Sequence, residues 1–182
     1  MADSIPAALI LAAGGSTRMG QPKALLDLHG RPLIVAHVTA LSQLCSPVVV
    51  VLGAHGDAIA EVLPGDVLKV WNPDWATTET RDSIALGLEA LSPETKVVVT
   101  PVDVPPAPPD VLELLLAGPL PAVPIDEGER GHPVVVIAGA ALLAVHTAPL
   151  HAHLVDATEV EVDWPDCTQG FNTPKEWVTW RG

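Results

Sequence analysis

Basic residues are scarce in this chain: 9 lysines and arginines stand against 22 aspartates and glutamates in 182 residues, a formal net charge of −13. So one-sided a surface repels polyanions, which sets aside nucleic acid and anionic membrane as general partners. Cysteine is nearly missing. Cys45 and Cys167 lie far apart, share no metal-ligand spacing, and read as two reduced thiols of a cytosolic protein. Long hydrophobic runs are missing as well, since the longest, residues 134–145, falls short of the roughly 18 residues that a membrane span needs. The start, MADSIPAALILAA, has an apolar patch with no lysine or arginine ahead of it and Asp3 instead. That argues against a secretory signal, and the cytoplasm is the expected location.

What the chain has in quantity is apolar side chains, 48% of its residues, enough for a sizeable core in a single domain over residues 1–182. Short apolar runs predict strands over 7–13, 47–53, 67–71 and 96–103, and three of them are almost unbroken, as in strands covered on both faces. Helices fit residues 32–44, 83–91 and 108–118, the last with prolines at its start and Gly118 after its end. Such alternation implies a mostly parallel sheet with helices on both faces. Further on, residues 121–138 read as two strands around a polar turn, an antiparallel excursion. Residues 159–164 alternate cleanly as a last strand, and 173–180 form a terminal helix with Pro174 near its first turn. The proline-rich 101–110 is a stiff loop, and no internal repeat is visible.

The loop after the first strand, residues 14–21, concentrates the few cations. Arg18, Lys23 and Arg31 fall within positions 18–31, opposed there only by Asp27. The loop is no Walker A motif, because Gln-Pro-Lys follows Gly20 where Lys-Ser/Thr belongs, and it lacks the Gly-x-Gly-x-x-Gly spacing of dinucleotide sites. Glycines do let backbone N–H groups face an anion without a Cβ in the way. On spacing alone, an anion site and a glycine turn with two solvated cations stay equally open. The histidines of 146–153 have no acidic neighbours at ligand spacing and read as a polar loop. A serine nucleophile is unsupported, since Gly-x-Ser-x-Gly does not occur.

LAAGGSTRMGQPKALL resembles the signature of the MobA-like nucleotidyltransferases, Leu-Ala-Ala-Gly-x-Ser-x-Arg-Met-Gly-x-x-Lys followed by leucines, in the form most like molybdenum cofactor cytidylyltransferases. GRPLI, VVVVLGAH, NPDW, DSIALGL, DVP, RGHPV and NTPKEW have counterparts in the same order, so the resemblance covers nearly the whole chain. It implies a three-layer α/β/α Rossmann-like nucleotidyltransferase fold with a mostly parallel mixed sheet. It also implies magnesium-dependent transfer of CMP from CTP to the phosphate of molybdopterin or the molybdenum cofactor, with release of pyrophosphate. Another phosphorylated acceptor, such as a sugar phosphate or methylerythritol phosphate, and a catalytically impaired nucleotide-binding accessory protein are the alternatives. A transient contact with a molybdoenzyme is the one macromolecular partner it suggests.

By the same resemblance, the backbone of Leu11, Ala12, Ala13, Gly14 and Gly15 surrounds the base, and Arg18 and Lys23 hold the triphosphate. Arg18, Lys23 and Asp103 carry catalysis. Asp103 lies where the strand of residues 96–103 ends, the place where open α/β sheets bind ligands. With Asn172 it is the expected magnesium site, hard oxygen donors being what that ion takes. The competing reading of Asp103 is a turn cap, and that of Asn172 a helix N-cap. Ser83 offers a hydroxyl to a pyrimidine edge. His132 faces either the acceptor phosphate or solvent, and Trp75 lies near the acceptor, although the tryptophans in general read as packing. CTP is expected over GTP because guanylyl-transferring relatives have glycine at the position of Ala13, whose methyl would crowd a purine. The chain departs from the family in ATTETRD, one residue longer than its Gly-rich counterpart, and in GFNTPKEW, where Asp-x-Asp-Thr-Pro-Glu-Asp is common. RDSIALGL resembles the serine segment of methylerythritol phosphate cytidylyltransferases, whose lysine follows the loop at a longer spacing.

Overall fold

Unbroken apolar runs can be satisfied only where helices cover a sheet on both sides, and the computed structural model puts them there. It describes residues 5–181; the start with Asp3, on which the expectation about a secretory signal rests, lies outside the described residues. In chain order the elements are β1 (Ala7–Ala12), β2 (Asp27–Leu28), β3 (Arg31–Pro32), α1 (Leu33–Leu41), β4 (Val48–Leu52), α2 (Gly56–Val62), β5 (Leu68–Trp71) and α3 (Thr80–Glu89). There follow β6 (Lys96–Pro101), α4 (Pro109–Ala117), β7 (Ala122–Asp126), β8 (Glu129–Arg130), β9 (Val134–Ile137), α5 (Ala138–Val145), β10 (Thr158–Glu161) and α6 (Pro174–Arg181).

The main sheet runs β10-β7-β9-β6-β1-β4-β5, with β8 paired to β7. Strands β6, β1, β4 and β5 are mutually parallel. β9 runs antiparallel to β6 and to β7, and β10 is parallel to β7. The sheet is therefore mixed and mostly parallel. Ile34, Val38 and Leu41 of α1, Ile59 of α2 and Val111, Leu112 and Leu115 of α4 pack in one apolar layer. Ile84 and Leu88 of α3 join Ala141 and Val145 of α5 in the other. The three-layer α/β/α architecture stands. Helix α3 comes so close to β1 that a Cβ on Gly87 would collide with Leu9 Cδ1. A third cluster of Met19, Leu26, Leu28, Leu33, Phe171 and Trp177 fastens α6 beneath the loop after β1. Among the described residues no helix is long and apolar enough to cross a membrane.

The departures from expectation have local causes. The run 134–145 is divided, a strand as far as Ile137 and helix α5 from Ala138, because uniform apolarity carries no period. Helix α3 starts at Thr80 instead of Ser83: Glu79 and Asp82 form a reciprocal capping box ahead of the apolar positions. Segment 121–138 makes three strands instead of two. Glu127 and Gly128, at φ 48° and 84°, close a tight hairpin between β7 and a two-residue β8, and the chain then crosses to β9. Helix α2 has no counterpart among the sequence-based expectations.

Candidate functional site

In the sheet, β1 has β4 on one side and β6 on the other, so the connections leaving these strands part. Such a switch point leaves a crevice beyond the carboxyl ends of the strands. A cleft of about 250 Å³ opens there, walled by the loops after β1 and β6, by Trp75 and by the start of α3. Leu11, Ala12, Ala13, Gly14, Lys23, Trp75, Ser83 and Asp103 all line it, and Gly15, Arg18, His132 and Asn172 do not.

The loop after β1 is held on several sides. Its left-handed residues are Ser16 (φ 49°) and Gly20 (φ 74°), not the Gly14–Gly15 pair, so the chain turns later than the glycine pair suggests. Ser16 Oγ accepts the Lys23 backbone N–H at 3.1 Å, and Ser16 O accepts that of Met19 at 3.0 Å. His55 donates from Nε2 to Gly15 O at 3.2 Å, the carbonyl fixing which ring nitrogen holds the proton. Gly14 is exposed and has nothing within 4 Å of where a Cβ would stand, so its backbone is open to a ligand. Ala13 is buried. Its methyl lies 2.9 Å from the position of a Cβ on Gly53, in the layer of Leu9, Val51 and Ile84, so it forms wall and does not stand out into the cleft.

At one rim the charges converge. Lys23 Nζ donates to Asp103 Oδ2 at 2.5 Å and to Asn172 Oδ1 at 3.0 Å, and Arg18 Nη2 donates to the same Asn172 oxygen at 3.0 Å. The Lys23 and Asp103 side chains are 13% and 30% exposed, so the pair is partly shielded from water and stronger than a surface ion pair. The Phe171 N–H donates to Asp103 O at 2.7 Å, which brings the segment before α6 to the end of β6 and sets Asn172 beside Asp103. The Asp103 carboxylate faces Lys23 and does not cap a turn.

Asn172 is not the N-cap of α6 either; Thr173 is. Thr173 Oγ1 accepts the Glu176 N–H at 3.3 Å, and Glu176 Oε2 takes those of Thr173 at 2.9 Å and Asn172 at 2.6 Å. These N–H groups, that of Asn172 foremost, hold the Glu176 carboxyl below its usual range. The side chain of Asn172 is thereby left for the cation cluster.

Ser83 is 7% exposed and accepts a hydrogen bond from Asn72 Nδ2 at 3.0 Å. Trp75, 39% exposed, stands over the glycine loop, its Cζ3 3.2 Å from where a Cβ on Gly15 would be. His132 is not turned to solvent: its Nδ1 is buried without a hydrogen-bond partner. Burial pushes its pKa down, against the opposing charge of Asp103. Sequence reasoning overlooks Asn72, His55 and His37. Asn72 stands inside the NPDW segment. His37, a lone histidine on an apolar helix, gives no signal, yet it is buried and its Nε2 donates to Val104 O at 3.0 Å, beside Asp103. Burial takes its pKa from 6.5 to about 4.

Residues 8–159 match the family described as MobA-like NTP transferase domain. The chain is 32% identical to the molybdenum cofactor guanylyltransferase of Xanthomonas euvesicatoria, over 93% of this chain and 90% of that protein. It is 34% identical to the 2-C-methyl-D-erythritol 4-phosphate cytidylyltransferase of Frankia casuarinae, over 71% of this chain and 46% of that protein. Identity to the bifunctional protein GlmU of Halorhodospira halophila is 40% over 62% of this chain, which spans only 24% of that protein's length. A solved nucleotidyl transferase from Methanothermobacter thermautotrophicus superposes with a TM-score of 0.82 at 24% identity, covering 98% of this chain and 96% of that one. The manganese complex of Rv0371c from Mycobacterium tuberculosis does so at 0.76 and 19%, covering 97% of each. At these identities the structures establish likeness of fold.

Proposed function

The chain belongs to the MobA-like NTP transferase family, and from that premise we propose that it transfers CMP from CTP to the phosphate of molybdopterin or its molybdenum form, releasing pyrophosphate. One observation carries the proposal: Arg18, Lys23, Asp103 and Asn172 meet at the rim of the cleft beyond the carboxyl ends of the strands, in a molecule otherwise short of cations. The base lies against the backbone of Leu11, Ala12, Ala13, Gly14 and Gly15, with Ser83 at its edge. Arg18 and Lys23 take the triphosphate. Trp75 and His132 stand toward the acceptor.

Magnesium is the divalent ion proposed for Asp103 and Asn172. The fit is supported by their two oxygens, which already converge on one positive centre, Lys23 Nζ. Both are hard donors, and a single carboxylate with an amide oxygen leaves other positions to phosphate and water, as that ion prefers. When bound, it would neutralise charge developing on the phosphates. Both lone pairs of Asn172 Oδ1 are used here by Arg18 and Lys23. These two cations must therefore swing from the protein oxygens to the nucleotide as it enters. An acceptor phosphate oxygen then attacks the α-phosphorus, the bond to the β-phosphate oxygen breaks, and pyrophosphate leaves. The acceptor arrives already ionised, so no general base is required. The protein's own contribution is alignment and positive charge.

The choice of CTP is supported by Ser83 and by the resemblance of the Leu-Ala-Ala-Gly loop to that of cytidylyltransferases; the Ala13 methyl, set against Gly53 in the wall, lends it no support. Likeness to the Frankia cytidylyltransferase favours a second reading in which the acceptor is a different phosphorylated alcohol. The assembled rim weighs against an inert accessory protein. Turnover and thermal shift with CTP, GTP, ATP and UTP at matched concentrations, each with Mg²⁺, test the nucleotide. CTP should be used best, and equal or better use of GTP would move the chain to the guanylyl branch.

A further inference from the structure

Asn72 follows β5 directly and is 3% exposed, and its amide is engaged within the wall of the cleft. Chemistry settles which end of that amide faces which neighbour. Its Oδ1 is 3.1 Å from the backbone N of Asp74, a group that can only donate, so an oxygen must stand there. Nδ2 then has two protons for the two hydroxyls near it, Thr78 Oγ1 and Ser83 Oγ, each at 3.0 Å. Both hydroxyls are thus acceptors toward Asn72, and each keeps its own proton to give. Thr78 gives its proton to Asp74 O at 3.0 Å. Ser83 gives its proton to no protein group among the described residues, and Ser83 lines the cleft.

We infer that Asn72 is a positioning residue: by occupying a lone pair of Ser83 Oγ, it commits the Ser83 proton to the cleft and so selects a base that presents an acceptor there. The inference rests on the nucleotide-binding reading. The ligand atom opposite Ser83 must be a carbonyl oxygen or an unprotonated ring nitrogen, which cytosine offers at O2 and N3. A ring N–H in the same place would meet a second donor. Asn72 touches no ligand itself. Its effect passes through the direction of one hydroxyl.

Changing Asn72 to aspartate keeps the shape and reverses the polarity. Oδ1 can still accept the Asp74 N–H, but the second oxygen now accepts from Ser83, drawing the proton out of the cleft. Calorimetric binding of CTP and of inorganic triphosphate should be measured for wild type, Asn72→Asp, Ser83→Ala and the double variant. Each single substitution should weaken CTP about tenfold, the worth of one buried hydrogen bond, with triphosphate binding unchanged. The double variant should be no weaker than Ser83→Ala alone, since with no hydroxyl there is nothing left to orient. A merely structural Asn72 would cost as much again in the Ser83→Ala background, and that result overturns the inference. So does a Ser83→Ala protein that binds CTP normally. Should Asn72→Asp fail to fold by circular dichroism, Asn72→Ser takes its place in the same cycle, with the same supporting and overturning results. If the wild type binds neither CTP nor triphosphate, the nucleotide-binding reading falls and the inference with it. Wild-type CTP binding with no effect of Asn72→Asp sinks the inference alone.

Discussion

At the scale of residues, Lys23 sits between two loads, its ammonium shared by Asp103 and Asn172 while its backbone N–H holds Ser16. If its charge serves a triphosphate, Lys23→Ala should weaken CTP by at least about tenfold and leave cytidine nearly unchanged, since the nucleoside has no phosphate. Arg18→Ala should act in the same direction. Calorimetry with both ligands checks this, and equal losses for the two would contradict it. His37 makes a different demand. Its folded pKa of about 4 lies below the ordinary 6.5, so between those values the unfolded chain binds a proton that the native state refuses. Stability therefore falls as pH drops through that window, by about 3 kcal/mol from this group once pH is below 4. Urea unfolding at pH 7 and 4.5 should show most of that loss, about 2 kcal/mol, in the wild type and a smaller one in His37→Gln. Identical losses in the two proteins would remove His37 as the cause. Arg18, Lys23 and Asp103 are conspicuous in sequence as charges beside a loop or at a strand end, but spacing leaves the two cations open to a solvated reading, and it is the family resemblance that singles them out. Asn72 and His37 are not, because the hydrogen bonds that tie them to the site, to Ser83 Oγ and to Val104 O, form only once α3 and the loop after β6 are in place.

At the scale of elements, the start of α6 matters to the rim because Asn172 is tied to the box that caps the helix. Thr173→Ala should cost about 1 kcal/mol of stability, as loss of a cap does. It should also raise the KM for nucleotide, since the Glu176 carboxylate that holds Asn172 N–H loses its reciprocal partner. Thermal unfolding and steady-state kinetics check the two effects together, and an unchanged KM would detach the cap from the site. The cap itself, Thr-Pro-Lys-Glu, is readable from sequence as Ser/Thr-x-x-Glu/Gln, although the neighbouring Asn172 obscures it. The central strands are legible for a plain reason: few segments other than doubly covered strands are so uniformly apolar. Uniformity also hides α5, whose eight residues AGAALLAV have no polar face to set a period. The start of α3 is hidden for another reason, its capping acids lying outside the apolar pattern.

At the scale of the whole molecule, the parallel order β6-β1-β4-β5 fixes where a ligand can sit, because only beside β1 do the connections part. The alternation of strands and helices makes that order readable in outline. The interleaving of β9 and β7 is not readable, since it depends on which edge a short hairpin finds. The net charge of −13 opposes any polyanion at a distance. At physiological salt such fields fade over roughly 8 Å, so the cations at the rim govern the last approach. On the proposed reading, nucleotidyl transfer has one centre, and Asp103 is indispensable to it. The most direct test is pyrophosphate release from CTP with Mg²⁺ and a panel of phosphorylated acceptors including molybdopterin, wild type beside Asp103→Ala. Release should require CTP, metal and an acceptor, and should disappear in a folded Asp103→Ala protein. Undiminished release by that variant, or none from the wild type with any acceptor, would contradict the proposal.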